Sequence, residues 1–185
     1  MWLAITDPAL PSPERWVARS LEVARSGEAD RLLLRCKALP REAQREAARL
    51  LAQACREGGT KLLIHGDLAL ALEVGAWGLH LPADAPALPQ LPPGLRRSRS
   101  CHTEQELARA QAEGLDFALY SPIFAPLSKQ DARPALGLDA LARACARFSI
   151  PILALGGVTR DNADACLAAG AAGVASISAF FQGDR

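Results

Sequence analysis

With 185 residues, half of them hydrophobic, and a net charge of +1, the chain has the size of one domain, able to bury roughly 70% of the surface its unfolded form exposes. The near-neutral balance, without a basic run, excludes a nucleic-acid stripe and leaves open a small anionic ligand held by local dipoles. No apolar run reaches membrane-spanning length, and Asp7-Pro8 breaks the apolar start too early for a signal peptide, so a cytoplasmic protein with no membrane partner is expected.

Strand-length apolar runs alternate with helical spacing about eight times, which predicts parallel strands joined by crossover helices. The predicted strands cover residues 2–6, 31–36, 61–64, 78–81, 97–101, 117–123, 152–155 and 173–178. Most are nearly continuous apolar runs, as strands buried on both faces require. Helices are predicted over 13–26, 40–57, 103–113, 138–147 and 160–169, with a shorter one over 67–74. Thr103-Glu104-Gln105-Glu106 reads as a capping box, and Gly75, Gly114 and Gly170 mark three successive helix exits. The five prolines between Pro82 and Pro93 predict a loop where another helix would fall.

Eight such units suit a single (β/α)8 TIM barrel spanning 1–185, although the chain is shorter than the ~250 residues usual for that fold. An open doubly wound sheet is the rival, weakened by the lack of a dinucleotide fingerprint after the first strand. The chain stops seven residues after Ser178, so the last helix is expected to be truncated. Phe180 and Phe181 in that tail are then expected to be exposed, suggesting a homodimer interface.

In a parallel barrel the ligand sits at the C-terminal strand ends. Leu155-Gly156-Gly157-Val158 and Ser176-Ile177-Ser178 end the last two strands, where glycine N–H groups and a following short helix commonly bind phosphate. The long stretch after strand six, Ser121 to Gly137, has the length of an active-site lid and contributes Ser128 and Lys129 to the same anion site. Arg35 and Lys37, alternate residues at the second strand, either clamp a second phosphate or diphosphate or form a salt bridge inside the barrel. His65, His80 and His102 lie on three strand ends. No carboxylate pattern makes them a zinc site; His65 and His102 are candidate general bases, while His80 reads as a buried structural residue. Cys36, Cys55, Cys101, Cys145 and Cys166 are scattered without metal spacing and read as buried or half-buried thiols.

These segments, together with Leu3-Ala4-Ile5-Thr6-Asp7, Gly78-Leu79-His80-Leu81-Pro82, Ser100-Cys101-His102-Thr103 and Ser121-Pro122-Ile123-Phe124, resemble the thiamine phosphate synthase and TenI family in order along nearly the whole chain. The resemblance implies a barrel in thiamine biosynthesis with a phosphorylated small-molecule ligand. In the synthases it implies joining hydroxymethylpyrimidine diphosphate to a thiazole phosphate, with Mg2+. Arg35 and Lys37 match the diphosphate clamp, whereas Leu33 stands at its glutamine. His65-Gly66 stand at the usual Asn-Asp, and Ala85 at the second magnesium aspartate, with Asp84 beside it. Gly156, Gly157, Ser178, Ser128 and Lys129 match the thiazole-phosphate side.

That asymmetry favours a TenI-like thiazole tautomerase working without metal or other cofactor, as does the likeness of the Ala4-Ile5-Thr6-Asp7 start and of His80-Leu81-Pro82 to that branch. The catalytic histidine of that branch falls at Pro122, so His65 or His102 must substitute. The alternatives are a divergent synthase with Asp67 and Asp84 as shifted metal ligands, and a non-catalytic binder of thiazole or thiamine phosphate.

Overall fold

A computed structural model describes residues 1–6, 13–88, 91–125 and 133–181. Eight strands run in chain order: β1 (Trp2–Ile5), β2 (Arg31–Leu34), β3 (Lys61–His65), β4 (Gly78–Leu81), β5 (Arg96–Cys101), β6 (Phe117–Tyr120), β7 (Ile152–Ala154) and β8 (Gly173–Ser176). Each pairs in parallel with its sequence neighbours, and β1 also pairs with β8, which closes the barrel. The helices are α1 (Pro13–Ser26), α2 (Arg41–Gly58), α3 (Leu68–Glu73), α4 (Glu104–Ala112), α5 (Gly137–Arg147), α6 (Ala163–Ala168) and α7 (Ser178–Phe181). The fold is a TIM barrel, and the open-sheet alternative is excluded by closure.

The apolar runs divide between two sides of the wall. Ala4, Leu32, Leu34, Leu62, Ile64 and Leu79 face outward onto α1 to α3, while Leu3, Ile5, Leu33, Leu63, Phe117, Leu119, Leu153 and Ala175 fill the interior. This is the period-two division of a strand buried on both faces. At the N-terminal end, Arg31 lies 4.5 Å from the Trp77 ring centroid and 4.9 Å from that of Phe117, a cation–π cover for the barrel floor. The open end is therefore the opposite one.

Local signals act where expected. Thr103 accepts from the Glu106 N–H while the Glu106 carboxylate accepts from the Thr103 N–H, completing the capping box of α4. The proline-rich crossover contains no helix among its described residues. Its place against the wall is held by Arg99, an arginine with 0% exposure. Arg99 Nη1 donates to the carbonyls of Ala83 (3.3 Å) and Ala85 (2.7 Å), and Nη2 to Glu113 (2.8 Å). Arg109 joins the same group, donating to Glu113 (2.7 Å) and to Ala85 (3.0 Å).

Several expectations change. β2, β6 and β8 end two to three residues before the apolar runs do, and α6 begins at Ala163, not at 160. Asn162 explains the latter: it accepts from the Thr159 N–H and donates to the Gly157 carbonyl, holding 157–162 as a turn. The last helix is short, as expected, but Phe180 and Phe181 are buried, 3% and 2% exposed. α7 folds back over the barrel flank, where Phe180 meets Trp2 edge-on at 5.7 Å and its carbonyl accepts from Arg19. The chain covers that flank itself, so the aromatic pair offers no exposed interface.

Candidate functional site

Above the apolar interior, the alternation of the strands brings polar residues to the C-terminal mouth. β3 ends in His65 and β4 carries His80, level with one another in the sheet register. Their rings lie 5.6 Å apart. His80 is 1% exposed, with Nδ1 2.9 Å from Ser98 Oγ and Nε2 2.9 Å from Ser100 Oγ. His65 is half-buried, and its Nδ1 is buried with no hydrogen-bond partner among the described residues.

Both histidines are held neutral. Burial lowers His65 to about 4, helped by the charges of Lys37 and Arg35; burial lowers His80 to about 3, helped by His65, Arg99, Arg35 and Lys37. These causes place Arg35 and Lys37 at the mouth. Both cations are exposed and have no ion-pair partner among the described residues, so no interior salt bridge consumes them there. Thr6 pins the Arg35 backbone, its Oγ1 accepting from Arg35 N–H at 2.9 Å.

A depressed histidine pKa makes the folded state bind fewer protons than the unfolded one, so the stability it allows is full at neutral pH and falls as pH drops from about 6.5 toward 4. The expected loss is on the order of 3 kcal/mol for each of the two histidines across that window. Urea titrations at pH 7, 5.5 and 4.5 should show it, and a His65→Gln variant should show a shallower decline.

His102 follows β5 and packs against the end of β6. Its Nδ1 is 2.8 Å from the Ser121 carbonyl oxygen and 3.2 Å from Ser121 Oγ. Since the carbonyl only accepts, Nδ1 carries the proton and Nε2 is the basic nitrogen of the neutral ring.

On the other side, Gly156 and Gly157 have φ of 91° and 62°, and a Cβ at Gly157 would lie 2.5 Å from the Ala125 oxygen. Only glycine fits that approach. The Gly156 carbonyl accepts from Phe124 N–H, and that of Gly157 from Asn162. Their N–H groups have no acceptor among the described residues. Ser176 links this turn to the next strand end: its Oγ donates to the Val158 carbonyl at 2.7 Å and lies 3.3 Å from Ser178 Oγ. The glycine turn and Ser178 are thus adjacent, while Ser128 and Lys129 lie outside the described residues.

The donor set among the described residues does not fit a resident Mg2+. Gly66 and Ala85 carry no ligand atoms in their side chains. Asp67 caps α3, accepting from the Leu70 N–H at 2.9 Å, and is paired with Arg41. Asp84 is exposed, and among the described residues no three histidine, cysteine, aspartate or glutamate side chains gather. A hard cation needs several converging oxygens. The cysteines are no better placed for chemistry: burial pushes Cys36 to about 11 and Cys55 and Cys101 to about 12.

Two serine–histidine contacts are not evident from the sequence. By sequence Ser98 and Ser121 fall within predicted strands, yet each contacts a histidine ring. The signal available was a pair of hydroxyls two apart, Ser98 and Ser100, in a strand whose register faces His80.

Thiamine-phosphate synthases from Methanoculleus marisnigri and Nitrosospira multiformis are 40% and 37% identical over 161 and 163 residues, covering 85% of this chain and 76% and 69% of theirs. A thiamine phosphate pyrophosphorylase from Pyrococcus furiosus superposes with TM-score 0.78 at 28% identity, covering 96% of this chain and 85% of that one. A 3-hexulose-6-phosphate synthase, 18% identical with TM-score 0.71 and covering 100% of this chain and 94% of its own, shares the fold alone. With the thiamine monophosphate synthase profile matching residues 2–180, the chain belongs to that family.

Proposed function

We propose that the chain is a transferase of thiamine biosynthesis that joins hydroxymethylpyrimidine diphosphate to a thiazole phosphate and releases pyrophosphate. The observation that carries this reading is the presence of two anion-complementary faces on one barrel mouth. Arg35 and Lys37 stand exposed on one side, and on the other, beside Ser178, are the N–H groups of Gly156 and Gly157, which have no acceptor among the described residues. Two anionic substrates need two such faces. The names of the relatives at 34–40% identity support it further.

In this reading the thiazole nitrogen forms a bond to the pyrimidine methylene carbon as the carbon–oxygen bond to the diphosphate breaks. Arg35 and Lys37 meet the charge that develops on the leaving pyrophosphate, and the glycine turn orients the thiazole phosphate. The expected result is pyrophosphate release only when both substrates are present. Arg35→Ala should reduce the rate by about 10- to 100-fold, the size of a lost hydrogen bond to a charged group.

A second reading is favoured by the poor metal donor set and by the basic Nε2 of His102: a TenI-like tautomerase moving a proton on thiazole carboxylate phosphate. Tautomerisation of that compound without pyrophosphate release from the substrate pair would put this reading first. Binding of thiazole phosphate with neither reaction would leave a non-catalytic binding protein.

A further inference from the structure

A cavity of about 350 Å3 lies on the N-terminal face of the barrel, between the end of α2 and the starts of β3 and β4. Lys61 opens β3 and His65 ends it, so roughly 13 Å of strand separates this cavity from the mouth. Leu62 and Trp77 give it an apolar side, and Arg56 and Lys61 line it as exposed cations. The indole is fixed in advance: the Arg31 guanidinium lies 4.5 Å from its ring centroid, and the Phe117 ring stacks at 6.4 Å with 30° between the planes. The volume is at the lower end of small-molecule sites, which span roughly 300–1,000 Å3.

The acids of the neighbouring segments are committed elsewhere. Glu57, next to Arg56, accepts from Arg25 at 3.0 Å and from Gln53 at 2.9 Å. Glu73 pairs with Arg45 and Arg49, at 3.1 and 2.8 Å, and Asp116 pairs with Arg96 at 2.6 Å. Arg56 and Lys61 have neither an ion pair nor a side-chain hydrogen bond among the described residues. Arg56, in the last turn of α2, complements that helix's dipole, but the dipole accounts neither for Lys61 nor for the space the two cations share. Two uncompensated cations and a flat apolar wall complement a dianion carried on a planar ring. A phosphate monoester, with a charge of about −1.5 to −2 at pH 7, supplies what a single carboxylate does not.

We infer that this cavity is a second binding site, for an aromatic phosphate monoester whose phosphate meets Arg56 and Lys61 while its ring packs against Trp77 and Leu62. The site is separate from the substrate faces at the mouth, and the inference does not depend on which reaction the chain catalyses. Cys55 also lines the cavity, but burial raises its thiol to about 12, so the site binds its ligand and does not attack it.

Phenyl phosphate is the probe, with inorganic phosphate and phenol as its two halves, added to the full chain carrying 15N-labelled tryptophan. Of the three indole N–H signals, that of Trp77, assigned by its loss in Trp77→Phe, should move as phenyl phosphate is added. Arg56→Ala and Lys61→Ala should each weaken the binding read from that signal about five- to tenfold, the size of a lost hydrogen bond to a charged group. Both side chains are exposed, so the variants should unfold at the parent's temperature. Arg35→Ala, at the mouth, should leave the Trp77 titration unchanged, which separates this site from the substrate faces. Inorganic phosphate and phenol should each bind about tenfold more weakly than phenyl phosphate, since each lacks one half of the contacts. A Trp77 signal that stays in place at millimolar phenyl phosphate overturns the inference, as does equal affinity in the parent and the two cation variants. Inorganic phosphate binding as tightly as phenyl phosphate overturns the aromatic ligand, and phenol binding as tightly overturns the phosphate. Each of these failures leaves the transferase reading where it stands.

Discussion

Arg99→Ala should destabilise the barrel by about 3–5 kcal/mol, the usual cost of removing one partner from a buried ion pair. Its guanidinium is fully buried and ties two elements to β5: the crossover, through the carbonyls of Ala83 and Ala85, and the end of α4, through Glu113. Truncation would leave a void where a crossover helix is missing and release the loop that carries Asp84. Arg109 keeps Glu113 and Ala85 partly satisfied, so the loss should fall at the lower end of that range. For a chain of this size, thermal unfolding should drop by about 10 °C. Arg99→Met, which keeps the stem but loses the tether, should recover only part of it. A loss under about 1 kcal/mol for Arg99→Ala in urea unfolding would show that the loop is held by other means.

Gly157→Ala is expected to combine two penalties. A residue with a Cβ at φ 62° costs about 1–2 kcal/mol, and overpacking against rigid neighbours adds about 1–3 kcal/mol. The neighbours here are rigid, the Ala125 oxygen at 2.5 Å and Phe124 Cβ at 2.7 Å from the added atom. Gly75→Ala, at the same φ of 62° but with nothing within 4 Å, isolates the first penalty. The difference between the two variants therefore measures the close approach alone. Because the β6 extension over residues 122–125 would have to move, Gly157→Ala should also weaken phosphate binding, measured by calorimetry, by more than its stability loss explains. Equal stability of the two variants would mean that the turn yields without cost.

Much of the architecture was legible in the chain because most strands are buried on both faces and most helix exits have their own glycine. Continuous apolar runs such as Leu32-Leu33-Leu34 and Leu62-Leu63-Ile64 carry no face preference, yet their number and spacing imply a parallel barrel. Strand ends were less legible: an apolar residue after the last ladder bond, such as Ile177, continues the pattern while the backbone already turns into α7. The tail misled for a related reason. Phe180 and Phe181 look orphaned in a chain short of its last helix, and only the fold of α7 onto Trp2 and α1 buries them.

Within the mouth, residue types alone pointed to Arg35, Lys37, His65, His102, Gly156, Gly157 and Ser178 as candidates, because cations, histidines and glycine turns at strand ends have few other uses. What each contacts was a tertiary matter. Asp67 looked available as a shifted metal ligand until its carboxylate proved to cap α3 and pair with Arg41. Ser98 looked like an unremarkable strand residue until the register set it against His80.

The sequence by itself determined the parallel barrel, through local periodicity, and the family, through the resemblance of its strand-end segments, and it directed the search for a candidate site to the C-terminal strand ends. Tertiary structure decided which of those residues keep free donors and which are spent, because hydrogen-bond partners such as Ser98 with His80, or Ser121 with His102, lie 18 or 19 positions apart and meet only when neighbouring strands come into register.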